Sequence, residues 1–295
     1  MGATTTGGSR QAPARRVQKR RHGWGRRLFL LLLLVLLLAG GTAATLYFTR
    51  PVTFFYRGME LEALRGVPVN TLDPACFSID DRGRVTYAQG DFTARTGIDV
   101  SFYQGDIDWT AVAADGIDFA FLRLGYRGYG TGKIVLDTYF RQNIQEAQAN
   151  GIEIGVYFFS QAINEAEAVE EAQYCMDVLQ NYSITYPIVF DWEPYSNNTN
   201  ARTNGLSDKM LTKCAVAFCQ AVEDGGYESM VYSNLSYFYL HFDMSKLAEF
   251  PLWLANYVKK TNFRYHFDMW QYSCTGTVPG IKGNVDLNIR LIPKT

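Results

Sequence analysis

The chain has 295 residues, of which 47% are hydrophobic and 15% aromatic, and its formal net charge is −1. This much apolar surface excludes a mainly disordered chain. The charge is unevenly placed: residues 1–27 hold eight basic residues and no acid, whereas the remainder holds 20 basic and 29 acidic residues, a net charge of −9. An acidic body argues against a nucleic acid partner, because such binding depends on neutralising phosphates.

Residues 28–48 form an uncharged, apolar stretch directly after the basic tail. About 20 apolar residues in a helix span the hydrocarbon layer of a membrane. The positive-inside rule then predicts a cytoplasmic tail over residues 1–27 and an extracellular body, with residues 28–48 as a single-pass signal anchor in the cell membrane. The alternative is a cleaved signal peptide, since Gly41-Thr42-Ala43 offers small residues at a suitable place, although the stretch exceeds a typical signal core.

Five cysteines follow the apolar stretch, at positions 76, 175, 214, 219 and 274, and none forms a C-x-x-C pair. A zinc site is therefore not expected. We predict that Cys175, Cys214 and Cys219 are buried structural thiols. Whether Cys76 and Cys274 pair with each other is left open by the sequence.

Residues 49–96 are predicted to form a juxtamembrane stalk or small cap, because this segment is too short and too polar to build a large core. Within it, residues 77–88 alternate in polarity around Asp81-Arg82-Gly83, which predicts a small hairpin. The segment would hold the following domain off the membrane.

Residues 97–295 are predicted to form one α/β domain. Helix-like stretches, clearest at residues 139–150, 165–181 and 208–224, separate the first five of eight apolar runs. This alternation indicates a parallel sheet covered by helices, and eight strands suggest closure into a barrel. Since the helices shrink or disappear after the fifth strand, we expect an incomplete α/β barrel whose last strands are joined by loops. The eight runs lie at residues 98–103, 119–126, 152–159, 186–190, 229–233, 252–257, 267–272 and 285–291.

Four carboxylates stand at the ends of these runs. Asp99 belongs to the first run, Asp191 and Glu193 close the fourth, and Asp286 opens the last. Residues two apart on a strand share a face, and the first and last strands of a closed barrel are neighbours. The four acids are therefore predicted to ring one mouth of the barrel, where the sites of such folds lie.

A ring of acids fits three roles: binding a divalent metal through oxygen ligands, hydrolysing a glycosidic bond, or forming an ordinary solvated rim. The rim is disfavoured because Asp191 and Glu193 flank a tryptophan directly after an apolar strand. Packed like charges raise a carboxyl pKa, as a general acid requires. No metal is expected because the three histidines lie elsewhere in the pattern, although an all-carboxylate magnesium site stays open.

Aromatic residues at or near the predicted strand ends favour a carbohydrate ligand. Sugar rings stack on aromatic planes, whereas phosphates call for Arg, Lys or glycine-rich loops. The alternative for each aromatic residue is a place in the core. These residues are Tyr126, Tyr157, Tyr232, Trp253, Tyr257, Trp270 and Tyr272.

An ordered set of motifs runs through the barrel domain: Asp99-Val100-Ser101-Phe102-Tyr103-Gln104-Gly105, Ile107-Asp108-Trp109, Arg123-Leu124-Gly125-Tyr126, Gly155-Val156-Tyr157-Phe158-Phe159-Ser160, Asp191-Trp192-Glu193, Tyr232-Ser233-Asn234, Leu252-Trp253-Leu254-Ala255-Asn256-Tyr257, Trp270-Gln271-Tyr272 and Val285-Asp286-Leu287-Asn288. From residue 97 to about residue 291 the chain thus resembles the family 25 glycoside hydrolases, muramidases that cut peptidoglycan. The resemblance implies an irregular, TIM-like (β/α)5β3 barrel that uses no metal or other cofactor.

The resemblance also implies residue roles in cleaving the β-1,4 bond between N-acetylmuramic acid and N-acetylglucosamine. Glu193 would donate a proton to the leaving oxygen, and Asp191 would orient the substrate or stabilise the developing positive charge. Asp99 and Asp286 would tune Glu193 and position water or substrate. Whether the mechanism is retaining, inverting or substrate-assisted stays open. The candidate substrate-binding residues are Tyr126, Tyr157, Tyr232, Tyr257, Trp270 and Gln271.

We therefore expect a membrane-anchored muramidase that acts on peptidoglycan glycan strands outside the membrane. One alternative is a catalytically inactive, glycan-binding or scaffold component of a wall-spanning assembly. Another is a glycosidase of the same fold that acts on a different glycan, such as a chitin-like chain. The four acids argue against the scaffold, because binding alone does not need a proton donor. The sequence identifies no protein partner.

Overall fold

The computed structural model describes residues 1–4, 24–48, 51–88, 90–194 and 200–294, without the side chains of residues 43–48. The chain divides into two compact units, Met1–Ala63 and Leu64–Thr295. Most of the predicted basic tail, residues 5–23, lies outside the described residues.

The first unit contains one long helix, α1 (Trp24–Phe48), which includes the apolar stretch predicted at residues 28–48. An antiparallel hairpin follows, formed by β1 (Thr53–Tyr56) and β2 (Met59–Glu62). The Trp24–Thr42 part of α1 has a mean hydropathy of 1.8, and no part of it is buried in the protein. The helix is therefore long and apolar enough to cross a membrane, properties that a signal sequence near an N-terminus shares.

The second unit begins with an antiparallel hairpin of β3 (Phe77–Ile79) and β4 (Val85–Tyr87), which confirms the hairpin predicted at residues 77–88. The chain then forms a closed barrel of eight strands, in which the first strand pairs with both the second and the last. A short strand, β7 (Ile134–Leu136), pairs outside the barrel with the second strand. The barrel strands are β5 (Phe92–Val100), β6 (Phe119–Arg127), β8 (Glu153–Ser160), β9 (Ile188–Trp192), β10 (Ser229–Asn234), β11 (Leu252–Ala255), β12 (Met269–Gly276) and β13 (Val285–Pro293).

Helices connect the first six barrel strands, and loops connect the rest. The Asn164 and Ser207 side chains cap the two longest of these helices by accepting hydrogen bonds from main-chain N–H groups. Residues 256–268 and 277–284, all of which the structure describes, contain no α-helix. This arrangement confirms the irregular (β/α)5β3 barrel. The helices, in chain order, are α2 (Trp109–Ala114), α3 (Phe140–Ala149), α4 (Glu165–Leu179), α5 (Asp208–Asp224), and the pair α6 (Leu235–Leu240) and α7 (Met244–Leu247).

The last strand differs from the expected all-parallel sheet, because β13 is antiparallel to both β12 and β5. A parallel neighbour requires a crossover connection, usually helical, whereas β12 and β13 are joined only by a loop that reverses the chain. The start of β13 therefore lies at the same barrel mouth as the carboxyl ends of the seven parallel strands.

Aromatic rings fill the barrel at the mouth opposite to the carboxyl ends. A Cβ atom at Gly97 would lie 2.1 Å from the Phe119 ring, and one at Gly155 would lie 2.4 Å from the Phe121 ring, so only glycine leaves room for these rings. Tyr186 stacks on Phe119 with ring centroids 4.8 Å apart. Since this part of the barrel is filled, its open space lies where the parallel strands end.

The segment before the barrel covers strands that have no helix of their own. Phe77 of β3 packs on Trp270 of β12, with ring centroids 5.2 Å apart, and on Tyr87 of β4 at 4.7 Å. Buried Arg84 also forms an ion pair with Asp115, just after α2. The hairpin therefore belongs to the hydrophobic core on the outer face of the barrel.

Phe77→Ala is expected to lower the free energy of unfolding by about 3–5 kcal/mol, because it empties a buried ring site. Ile79→Ala in the same strand is the control, since Ile79 is 44% exposed, and we expect it to cost about 0.5 kcal/mol or less. Denaturant unfolding of the full chain measures both values. Equally small losses would show that the hairpin is not part of the barrel core.

Candidate active site

Four carboxylates meet at the mouth where the parallel strands end. Asp99 near the end of β5 and Asp286 near the start of β13 are direct cross-strand partners. Asp191 lies on β9, and Glu193 follows on the same face just after that strand. All four line one cavity of about 310 Å³. The structure thus brings together the four acids that the sequence placed at the barrel mouth.

Two buried amides hold Asp99. Its Oδ2 atom accepts hydrogen bonds from Gln271 Nε2 at 2.8 Å and from Asn288 Nδ2 at 2.7 Å. Gln271 and Asn288 are cross-strand partners on β12 and β13, so the two amides approach Asp99 together. An oxygen that accepts two N–H groups does not carry the proton, which leaves the other Asp99 oxygen to share one with a neighbour.

Aromatic donors fix the orientation of both amides. Gln271 Oε1 accepts from the hydroxyl groups of Tyr232 at 3.0 Å and Tyr257 at 2.8 Å. Asn288 Oδ1 accepts from Trp253 Nε1 at 2.8 Å. An indole nitrogen only donates, so Asn288 must turn its oxygen toward Trp253 and its NH₂ group toward Asp99.

Burial raises the pKa of every acid in the cluster, and repulsion from neighbouring carboxylates raises the pKa values of Asp99, Asp191 and Glu193 further. Burial is the largest cause at each site. The charge of Asp286 further raises the pKa of Asp99, and that of Glu193 further raises the pKa of Asp191, which Arg123 partly opposes. For Asp286 the pKa rises to about 6. The cluster therefore keeps protons that isolated carboxyl groups lose well below neutral pH.

Glu193 combines a raised pKa with access to solvent. It is half-buried, and its pKa is raised mainly by burial and further by the charge of Asp286, while the neighbouring Tyr232 side chain lowers it. Asp191 is more deeply buried, and its Oδ1 atom has no hydrogen-bond partner among the described residues. Glu193, whose carboxyl group is suited to hold a proton, thus lies beside Asp191, whose Oδ1 atom accepts no hydrogen bond from the described residues.

The predicted substrate-binding residues divide between the cavity and its surroundings. Four of them line the cavity, namely Tyr157, Tyr232, Tyr257 and Gln271. Trp270 does not line the cavity, because its neighbour Gln271 lies on the inward face of β12. The Trp270 ring is fully buried on the outer face. Its Nε1 atom donates to the main-chain oxygen of Asn256 at 2.7 Å. Tyr126 also lies outside the lining, with its ring centroid 5.4 Å from the Arg123 guanidinium carbon.

Comparison with known proteins decides the family. Residues 98–281, more than half of the chain, match the sequence model of the Glycosyl hydrolases family 25. The chain belongs to this family. It is therefore a glycoside hydrolase, as the ordered motifs predicted.

Relatives of this family 25 enzyme match most of its length. The uncharacterized protein YegX of Escherichia coli strain K12 is 30% identical over 202 residues, 65% of this chain and 68% of that protein. Lysozyme M1 of Streptomyces globisporus is 29% identical over 213 residues, 69% of this chain and 70% of that protein. The autolysin LytC of Streptococcus pneumoniae, solved with a synthetic peptidoglycan ligand, superposes with a TM-score of 0.61 at 24% identity over 81% of this chain. This chain covers 56% of LytC, and that likeness shows the fold.

Sequence reasoning assigned no role to two further residues that line the cavity. Tyr103 lines the cavity mouth and is 76% exposed, and Arg123 lines the cavity wall. Asp137 holds Arg123 through Nε at 2.8 Å and Nη2 at 2.7 Å. The available signal was the place of Arg123 in β6, where it follows Phe119 and Phe121 on the inward face of an otherwise apolar strand.

The cysteines of the enzyme are all free thiols. Cys175, Cys214 and Cys219 are buried, as predicted, whereas Cys76 and Cys274 are not paired with each other. Cys274 is exposed and lines the cavity. Within the described part of the chain, no group of three or more His, Cys, Asp or Glu side chains has an arrangement that could hold a metal ion.

Asp286→Asn is expected to stabilise the enzyme at alkaline pH. The folded-state pKa of about 6 exceeds the ordinary 3.8, so ionisation of Asp286 lowers the free energy of unfolding. This loss of stability is absent below pH ~4, grows until pH ~6 and then stays constant. The asparagine removes it, and the gain at pH 8 is about 2–3 kcal/mol, falling toward zero at pH 4. Denaturant unfolding at both pH values measures the difference. The exposed Asp177→Asn is the control, and a gain for Asp286→Asn that does not depend on pH would contradict this account.

Proposed function

We propose that this glycoside hydrolase is a peptidoglycan hydrolase that acts as an N-acetylmuramidase. The bond cut is the β-1,4 linkage between N-acetylmuramic acid and N-acetylglucosamine. The observation that carries the proposal is the group of four carboxyl groups with raised pKa values in one tyrosine-edged cavity. Support for the polymer comes from relatives named Lysozyme M1 and autolytic lysozyme, and from the peptidoglycan ligand in the LytC structure.

In this proposal Glu193 donates a proton to the leaving glycosidic oxygen. Burial keeps the Glu193 carboxyl protonated at a pH where an exposed glutamate is ionised, and its partial exposure lets the substrate oxygen approach. Asp191 supplies negative charge to the cationic sugar in the transition state. Burial raises the pKa of Asp191, and the Arg123 guanidinium opposes that rise and favours the ionised form. The Asp99–Asp286 pair holds a further proton beside them and keeps the cluster from carrying four charges.

Aromatic side chains provide the surface for the glycan. Tyr103 and Tyr257 are 76% and 52% exposed at the cavity, so their rings are available to the apolar faces of sugar residues. Tyr157 and Tyr232 lie deeper, nearer the acids. An open cavity with aromatic walls suits an extended polysaccharide better than a small charged metabolite.

Glu193→Gln is expected to lower the release of reducing ends from purified peptidoglycan by at least about 10²-fold, because glutamine keeps the shape but cannot donate the proton. Mass spectrometry of the products identifies the bond cut, and chitin oligomers digested in parallel test the other glycan. Glu165→Gln on exposed α4 surface is the matched control and should retain activity. A Glu193→Gln enzyme with most of its activity would refute the assignment, and a wild-type protein that binds glycan without releasing ends would favour a non-catalytic binder.

We further propose that α1 anchors the enzyme in the cell membrane with the N-terminus in the cytoplasm and the barrel outside. The eight basic residues among residues 1–27 and the uncharged, exposed helix that follows support this orientation. The basic tail binds no nucleic acid in this proposal, since membrane topology accounts for its charge.

Protease added to wall-stripped cells is expected to digest the barrel domain and to spare a tag at the N-terminus. The membrane protects the cytoplasmic tail, and lysing the cells before digestion provides the control in which the tag is lost too. A soluble enzyme in the medium that begins near residue 44 would instead show that the helix is a cleaved signal peptide.

A further inference from the structure

One buried side chain ties the main chain at Glu193 to the far end of the loop that follows it. Gln161, directly after β8, is fully buried. Its Nε2 donates to the main-chain oxygen of Glu193 at 3.2 Å and to that of Ser160 at 3.0 Å. Its Oε1 accepts from the Thr203 hydroxyl at 2.9 Å. Gln161 therefore bridges the two ends of the connection between β9 and α5.

The far end of this loop is itself anchored. Arg202 Nη2 contacts Glu167 Oε1 at 2.6 Å, and its Nη1 donates to the main-chain oxygen of Gln161 at 3.3 Å. The Arg202 main-chain N–H donates to the Tyr129 oxygen at 2.8 Å. These contacts join the loop to α4 and to the hairpin of β6 and β7, so Gln161 links Glu193 to a frame and not to a free strand of chain.

A second buried network fixes the residue before Gln161. Ser160 donates to Glu171 Oε2 at 2.6 Å, and the other Glu171 oxygen accepts from Arg127 Nε at 2.6 Å. Ser160 and Glu171 are fully buried. These hydrogen bonds fix the main chain at residues 160 and 161, and with it the position of the Gln161 side-chain amide.

The geometry points to Gln161 as a positioning residue for the glycosidase reaction, an inference that rests on the proposed role of Glu193. Strand β9 ends at Trp192, and Gln161 supplies a donor to the Glu193 carbonyl immediately beyond it. The Gln161 side chain does not line the cavity, so it acts through Glu193 by fixing the direction in which that carboxyl enters the site. An amide suits this position because one end must donate to Glu193 and the other must accept from Thr203.

The environment of Glu193 provides a readout specific to this role. The groups that face Glu193 are Asp191 from β9, Tyr232 from β10 and Asp286 from β13. Burial is the largest cause of the raised pKa of Glu193. If the tie to Gln161 is lost and Glu193 becomes more hydrated, its pKa falls, and the alkaline limb of the kcat–pH profile moves to lower pH. Loss of stability alone leaves that limb in place.

The test compares Gln161→Met and Gln161→Glu with the wild-type full chain on soluble peptidoglycan fragments. Methionine removes all three hydrogen bonds of the side chain at similar volume, whereas glutamate keeps the acceptor for Thr203 and loses the donor to Glu193. Both variants are expected to lower kcat by about 10- to 100-fold, since displacement of a reacting group by about 1 Å costs that much. KM should change little, and the midpoint of the alkaline limb of the kcat–pH profile should move to lower pH by about 0.5 unit or more.

Asn143→Leu is the matched control. Asn143 is a buried amide on α3 whose oxygen accepts from Trp109 Nε1 at 3.2 Å. It does not line the cavity that contains the four acids. It should lower the melting temperature without moving kcat or the limb. Wild-type kcat and an unshifted limb in both Gln161 variants, or equal kcat losses in Asn143→Leu, would overturn the inference.

Hydrogen exchange separates this inference from the proposed function. Main-chain amides of residues 193 and 200–206 should exchange faster in Gln161→Met than in Asn143→Leu, whether or not the enzyme cuts peptidoglycan. Unchanged exchange would overturn the positioning role on its own. Full activity in Glu193→Gln would instead refute the proposed role of Glu193, while the exchange result would still report on the hydrogen bond between Gln161 and the Glu193 main chain.

Discussion

The antiparallel return of the last strand places Asp286 directly opposite Asp99, and the properties of the site depend on this contact. Had β13 run parallel to its neighbours, its first residues would lie at the filled end of the barrel. The reversal brings a fourth carboxyl group to a mouth that already contains three. Two acids held this close share a proton, since both cannot ionise in a buried place without a large cost.

Neutral groups decide where the protons of the cluster reside. Gln271 and Asn288 both donate to one oxygen of Asp99, and aromatic donors fix the direction of both amides. The acid pair is therefore asymmetric: Asp99 is enclosed by donors, whereas Asp286 is more exposed and its pKa rises only to about 6. On the other side of the cavity, Arg123 offsets part of the charge on Asp191.

Much of this arrangement was predictable from the sequence, because strand runs and the acids at their ends are local features. The direction of β13 was not, since an apolar run has the same composition in either direction. Nor was the division between Trp270 and Gln271: adjacent strand residues face opposite sides, and only the register of the sheet shows which one enters the cavity. The hydrogen bonds of Gln161 join residues 193 and 203 through space, and no spacing along the chain signals them.

The loss of helices after β11 links the site to the segment before the barrel. Without a crossover helix the chain can reverse and bring Asp286 to the mouth, but the outer faces of β12, β13 and β5 are then left without a helical cover. Phe77 and its neighbours in the β3–β4 hairpin supply that cover by packing on Trp270. Trp270 and Gln271 are consecutive on β12 and face opposite sides of the strand. The packing of Trp270 on the outer face therefore supports the Gln271 amide, which donates to Asp99 on the inner face. The apolar burial on one side of the sheet thereby offsets the cost of gathering carboxyl groups on the other.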